Sequence, residues 1–133
     1  MKFISPSLSY VQRIHKKMLQ KYSSLDGIRD INALESALAS AHIGFSDGTE
    51  AYPDLIDKIC IVSFKLVTNH PFVDGNKRVG AYMLISLLKR YGFIILFTKE
   101  ELERIILGTA SGSIDFEEFN QWVRNHSEHT FKE

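Results

Sequence analysis

Apolar residues recur along this chain at helical spacing in several separate stretches. Leu8, Val11, Ile14, Met18 and Tyr22 fall three or four positions apart, so they line one face of a first helix. Ser5 is placed to cap that helix, with Pro6 in its first position. Arg13, Lys16, Lys17 and Lys21 populate the opposite face with His15 beside them, and this reads as a solvated surface. Asp30 can cap a second helix with Leu34, Leu38 and Ala41 on one side. The stretch from Ile43 to Tyr52 reads as a loop, because Ser46-Asp47-Gly48-Thr49 is turn chemistry. Within it Phe45 and Tyr52 either cover the core or line a surface groove.

Pro53 and Asp54 open a third helix. Its Leu55, Ile56, Ile59, Cys60, Ile61, Val62, Phe64, Leu66 and Val67 surround most of the circumference, which places it at the centre of the fold. Pro71 disfavours helical backbone at His70, so the helix ends there and a fourth starts near Asn76. That helix carries Val79, Tyr82, Met83, Ile85, Leu87 and Leu88, and Gly92 after Tyr91 suits a left-handed C-terminal cap. Phe93 to Phe97 is short, apolar and partly β-branched, a strand or extended segment with Phe3 and Ile4 as a candidate partner. Thr98 with Glu101, and Asp115 with Glu118, have the spacing of capping boxes. They predict two further helices, anchored on Leu102, Ile105 and Ile106 and on Phe119, Trp122 and Val123. The expectation is a mainly α fold of six helices with at most a short strand pair. Residues 1–125 form one domain and 126–133 a frayed tail. His126 and His129 in that tail have a metal-compatible spacing but no further ligands nearby in sequence.

Composition narrows the function. At 133 residues, 44% of them hydrophobic, the chain suits one domain and one site. Sixteen basic residues balance sixteen acidic ones, which argues against nonspecific binding to nucleic acid or an anionic membrane. Any anion site must therefore be local. No aromatics are interleaved on the basic face of the first helix to stack RNA bases, so no direct nucleic-acid partner is expected. The lone Cys60 has no intramolecular disulfide partner, the N-terminal stretch lacks a signal-peptide pattern, and charges interrupt every apolar run before it could span a membrane. A cytoplasmic protein is the resulting expectation.

The chemistry gathers in one loop, His70-Pro71-Phe72-Val73-Asp74-Gly75-Asn76-Lys77-Arg78. Gly75 permits an unusual turn, and amides from Asp74 to Lys77 would face outward at a helix start, where backbone N–H groups cradle phosphate. Lys77 and Arg78 sit in the first turn, where the helix dipole disfavours cations by about 0.3–1 kcal/mol each unless an anion is present. His70 is suited to take a proton from a hydroxyl near neutral pH. Asp74 offers a hard oxygen, and magnesium is commonly held by one or two carboxylates together with phosphate oxygens and water. Together these are the parts for phosphoryl or nucleotidyl transfer. The same residues also suit a plain helix connector, with Pro71 and Gly75 setting the turn, Asp74 or Asn76 capping, and His70 bonded to backbone.

The loop resembles the signature His-x-Phe-x-(Asp/Glu)-Gly-Asn-(Gly/Lys)-(Lys/Arg) of the Fic/Doc family. Gly27-Ile-Arg-Asp-Ile-Asn-Ala-Leu-Glu-Ser-Ala-Leu38 and the chain length are similar to its death-on-curing (Doc) branch. The resemblance implies a compact six-helix Fic/Doc-type bundle over residues 1 to about 125. It implies His70 as catalytic base, Phe72 as the loop's anchor in the core and Asp74 as the magnesium (Mg2+) ligand. Gly75 and Asn76 would form the anion nest, with Lys77 and Arg78 on the phosphates of ATP. Adenylylating members carry Gly where this chain has Lys77 and a second Arg where it has Ala81. The Doc branch shares Asn-Lys-Arg, which implies transfer of the terminal phosphate to a translation factor of the elongation factor Tu class. Adenylyl transfer and a noncatalytic phosphate- or protein-binding module are the alternatives. No complete (Ser/Thr)-x-x-x-Glu-(Gly/Asn) inhibitory motif occurs, since Ser46 to Glu50 is followed by Ala51 and Ser113 to Glu117 by Glu118. Inhibition would then come in trans, from the disordered tail of an antitoxin protein.

Overall fold

The helix with apolar residues on most sides, α3 (Leu55–Thr68), is the one around which the others pack. In the computed structural model, which describes residues 2–22 and 25–130, it follows α1 (Leu8–Tyr22) and α2 (Ile31–Ala39). It precedes α4 (Asn76–Arg90), α5 (Lys99–Ser111) and α6 (Phe116–Asn125). A 3-10 turn covers Ser40–His42, and β1 (Phe93–Ile95) with β2 (Ser127–His129) completes a mainly α fold. α3 packs against α2, α4, α5 and α6, and Ile59, Val62, Leu66 and Val67 are fully enclosed. Burying side chains of this size stabilises the fold by about 1.5–3 kcal/mol each before entropy is set against it. The closest pairing is α3 on α4, where Gly80 lets the backbones approach. A Cβ there would run into Val67, and Ser63 Oγ donates to the Gly80 carbonyl at 2.8 Å.

Local signals place most helix ends. Asp30 accepts from the Ala33 amide at 3.1 Å, and Asp54, Thr98 and Asp115 form reciprocal capping boxes with Asp57, Glu101 and Glu118. Gly92, at φ 82°, follows the last turn of α4 as expected. The start of α1 differs. Ser7 rather than Ser5 caps it, its Oγ accepting from the Tyr10 amide at 3.2 Å, while Ser5 gives its hydroxyl to the Leu38 carbonyl and Pro6 is buried. A contact with α2 has taken the side chain that local chemistry offered as the cap.

The strand pairing also differs. β1 pairs antiparallel with β2, matching Phe93 with His129, Ile94 with Glu128 and Ile95 with Ser127. Phe3 and Ile4 instead meet Tyr91: the Phe3 ring lies 5.3 Å from it, and the Ile4 amide donates to its hydroxyl at 2.8 Å. The tail expected to fray from residue 126 is therefore ordered through Thr130, whose amide donates to the Gly92 carbonyl. His126 and His129 serve that attachment. His126 stacks on Trp122 with Nδ1 2.8 Å from the Trp122 carbonyl, and His129 lies against Phe93 with Nε2 3.1 Å from the Tyr91 carbonyl.

The connection from Ile43 to Tyr52 contains a narrow hairpin, closed by bonds from Phe45 N to Thr49 O and from Ala51 N to Ile43 O. Tyr52 covers the core edge-on to Phe116, whereas Phe45 is exposed. Lys58, buried on α3, ties this hairpin down by donating to the Ala41 carbonyl and to Glu50, each at 2.9 Å. Arg13, Lys16, Lys17 and Lys21 are exposed on α1. The sequence also suggests a turn around Ser23 to Gly27; its Ser23 and Ser24, the side chain of Tyr22 and residues past Thr130 lie outside the described part. No described helix is long and apolar enough to cross a membrane.

Candidate active site

The segment between α3 and α4 is held from both sides. Asn69 ends α3, and His70 then takes φ 48°, the one positive value at a non-glycine among the described residues. A left-handed conformation at such a residue costs about 1–3 kcal/mol and persists where its surroundings enforce it. Here Arg29 enforces it: Nε donates to the His70 carbonyl at 2.6 Å and a terminal nitrogen to the Asn69 carbonyl at 2.8 Å. The Arg29 and Asp30 amides both reach the Pro71 carbonyl, and Val73 N donates to Gly27 O at 3.0 Å. Gly27 to Asp30 thus forms an extended brace along the loop, bridged at Ile28 and Phe72. The His70 residue itself stays exposed.

Beyond His70 the chain dips into the core and returns. Phe72 is 1% exposed, while Val73 and Asp74 are exposed. The Asn76 side chain staples the dip, with Oδ1 accepting from Phe72 N at 2.9 Å and Nδ2 donating to Phe72 O at 3.0 Å. Its contribution to an anion nest is therefore its backbone amide, since both polar side-chain atoms are committed. Gly75, at φ 86° and ψ 10°, is the N-cap of α4, and no side chain caps this helix. The first-turn amides of Asn76 and Lys77 have no intrahelical acceptor. The Gly75 amide differs from the sequence expectation, because it already donates to Asp74 Oδ1 at 2.8 Å. The Leu25 amide reaches Asp74 Oδ2 at 3.4 Å, so the carboxylate lies across the helix start. A phosphate bound there would take over the role that this carboxylate plays.

Lys77 and Arg78 are exposed on the first turn of α4 and border a groove of about 600 Å³. Met18, Ala81, Ile85, Leu102, Ile106 and Leu107 give it an apolar wall, and Lys99 and Glu103 complete its rim. Ala81 thus faces the groove. A cavity of this size beside two cations suits a small molecule with one charged and one flat apolar end. The magnesium expectation fits the donor set. Among the described residues no group of three His, Cys, Asp or Glu could hold a metal unaided, but one exposed carboxylate beside a phosphate seat suffices when the phosphate shares the ion. Burial pushes the Cys60 thiol far up, which leaves it protonated and apart from this chemistry.

Two residues gain importance from the structure. Arg29 had no sequence signal that separated a loop clamp from a surface cation. His15, read as part of the solvated face, is instead buried under the loop. Its signal was present: Val11, Ile14, His15 and Met18 follow the i, i+3, i+4, i+7 pattern of a buried stripe.

The Fic/DOC family profile matches residues 5–88, so the chain belongs to the Fic/DOC family. The match spans everything from the start of α1 to the end of α4's buried face. Two curated relatives, both named protein adenylyltransferase fic-1, come from Caenorhabditis briggsae and Caenorhabditis elegans. Each is 34% identical over 77 residues, which cover 56% of this chain and 15% of the relative. The chain thus spans a small part of the length of the curated relatives it matches.

Proposed function

We propose that this chain transfers a phosphorus-bearing group from ATP to a hydroxyl of a protein. The observation that carries the reading is the exposed His70, held left-handed by Arg29 at one end of a loop whose other end is the uncapped start of α4. His70 takes the proton of the target hydroxyl as its oxygen attacks phosphorus, and the bond from phosphorus to the bridging oxygen breaks to release the remaining nucleotide or pyrophosphate. The amides of Asn76 and Lys77, with the Lys77 and Arg78 side chains, offset the charge on the phosphate oxygens. Asp74 would hold magnesium, whose charge further neutralises those oxygens. The apolar groove beside Ala81 offers the nucleoside a dry wall.

In its finer form the proposal is Doc-like: the terminal phosphate moves, ADP leaves, and the target is a translation factor of the elongation factor Tu class. Lys77 and Ala81 support this choice. A lysine where the adenylylating pattern has glycine crowds the seat, and an alanine removes a planar bidentate phosphate contact. An antitoxin protein with a disordered tail is the proposed inhibitory partner, motivated by the lack of a complete inhibitory motif in this sequence. The second reading, adenylyl transfer, is favoured by the name of the two relatives. Incubation with a bacterial lysate and ATP labelled at either the α or the γ phosphorus separates them. Protein label from γ alone is the expected result, label from α moves the activity to adenylylation, and label from neither leaves a binding module.

A further inference from the structure

The ring of His15 faces the candidate loop. Its ring is 2% exposed and lies parallel to Phe72, with centroids 3.8 Å apart and planes 10° apart. Its Nε2 lies 2.7 Å from the Asp74 carbonyl oxygen, an acceptor only, so Nε2 carries the proton and donates it. A Cβ on Gly75 would sit 3.4 Å from both Cδ2 and Nε2, so the ring is the wall behind the left-handed turn. One side chain of α1 thus meets the loop's buried anchor, the carbonyl before its turn and the N-cap of α4.

Packing alone does not call for histidine there. Phenylalanine or leucine would fill the space without burying a polar ring, which is unfavourable unless hydrogen-bonded. The imidazole adds one directional donor, aimed at the Asp74 carbonyl. In a trans peptide the C=O and the following N–H point in opposite directions. A carbonyl drawn inward towards α1 therefore turns the Gly75 amide outward, and the left-handed turn carries that orientation into the amides of Asn76 and Lys77.

We propose that His15 is a positioning residue: its Nε2–H bond to the Asp74 carbonyl sets the peptide plane that aims the opening amides of α4 at the nucleotide's phosphates. This rests on the reading of the loop as a nucleotide-phosphate seat, and Mg-ATP is the probe. Calorimetric titration of the folded chain should show His15→Phe, which keeps a flat ring and loses the donor, binding Mg-ATP about tenfold more weakly than wild type. His15→Gln, which replaces the donor and loses the ring, should recover most of that loss, a pattern that lost packing does not produce. Should His15→Phe lack a cooperative melt, His15→Leu takes its place with the same expectation. Wild-type affinity in the donorless variant, or an equal loss in His15→Gln, overturns the inference and leaves the seat standing. Wild-type protein that does not bind Mg-ATP removes the seat itself, and this inference with it.

Discussion

The starts of α5 and α4 solve the same problem in opposite ways. Every helix begins with amides that lack intrahelical acceptors. At α5, Thr98 accepts from the Glu101 amide at 3.1 Å while Glu101 accepts from the Thr98 amide at 2.8 Å. At α4 the cap is Gly75, which offers no side chain to the first-turn amides, and Lys77 and Arg78 place positive charge where the helix dipole is already positive. One start is finished internally; the other has no capping side chain, and the loop before it is braced by Arg29, Asn76 and His15. On the proposed function, the difference separates residues that serve stability from residues held ready for a ligand.

The contrast breaks most visibly at His70. His70→Ala should lower transfer by about 10²- to 10⁴-fold with unchanged helical circular dichroism. A variant keeping most of the activity would remove the base from the mechanism. Gly75→Ala forces a Cβ onto a residue at φ 86° and should cost about 1–2 kcal/mol, read as a lower denaturation midpoint, together with weaker Mg-ATP binding. Stability lost without affinity lost would mean that this turn does not aim the amides. Thr98→Ala is the counterpart at the finished start. It should cost about 0.5–2 kcal/mol of stability and leave Mg-ATP affinity unchanged; a fall in affinity would erase the distinction.

The smallest effect concerns the capped start of α3. Arg124 on α6 reaches Asp54 and Asp57, each at 2.8 Å. Burial pushes the Asp54 carboxyl up, yet the Asp57 amide and Arg124 together outweigh it and hold it below the usual carboxylate range. A depressed folded value means that this stability is fully present above the unfolded value and is lost as pH falls through the folded one. Protection factors of the α6 amides, referred to the intrinsic exchange rate at each pH, should therefore fall only on acidification through and below the ordinary carboxylate range. The change should be modest because the pair is partly exposed. Equal protection factors in Arg124→Met and wild type at neutral pH would show that the clasp contributes nothing.

Local chemistry wrote much of this into the chain. Capping boxes at Asp115 and Thr98, the Pro71 break after α3 and Gly92 behind α4 each act over four residues or fewer, so they can be read without knowing what lies across the fold. The loop from His70 to Arg78 is legible for the same reason: its turn, its charges and its helix start are adjacent in sequence. Ser5 shows where that logic fails, since its hydroxyl suits a cap but bonds to Leu38 instead. The tail fails it too, because Ser127–His129 becomes ordered only through a β1 strand more than thirty residues away.

By itself, then, the sequence determined the six helices, most of their ends and the nine-residue loop between α3 and α4, because each depends on short-range sterics and hydrogen bonding. Tertiary structure alone decided what holds those nine residues in place: His15 from α1 and Arg29 from the segment before α2. Those contacts join positions distant in the chain, and a buried donor or a clamped carbonyl exists only once packing has brought the two together.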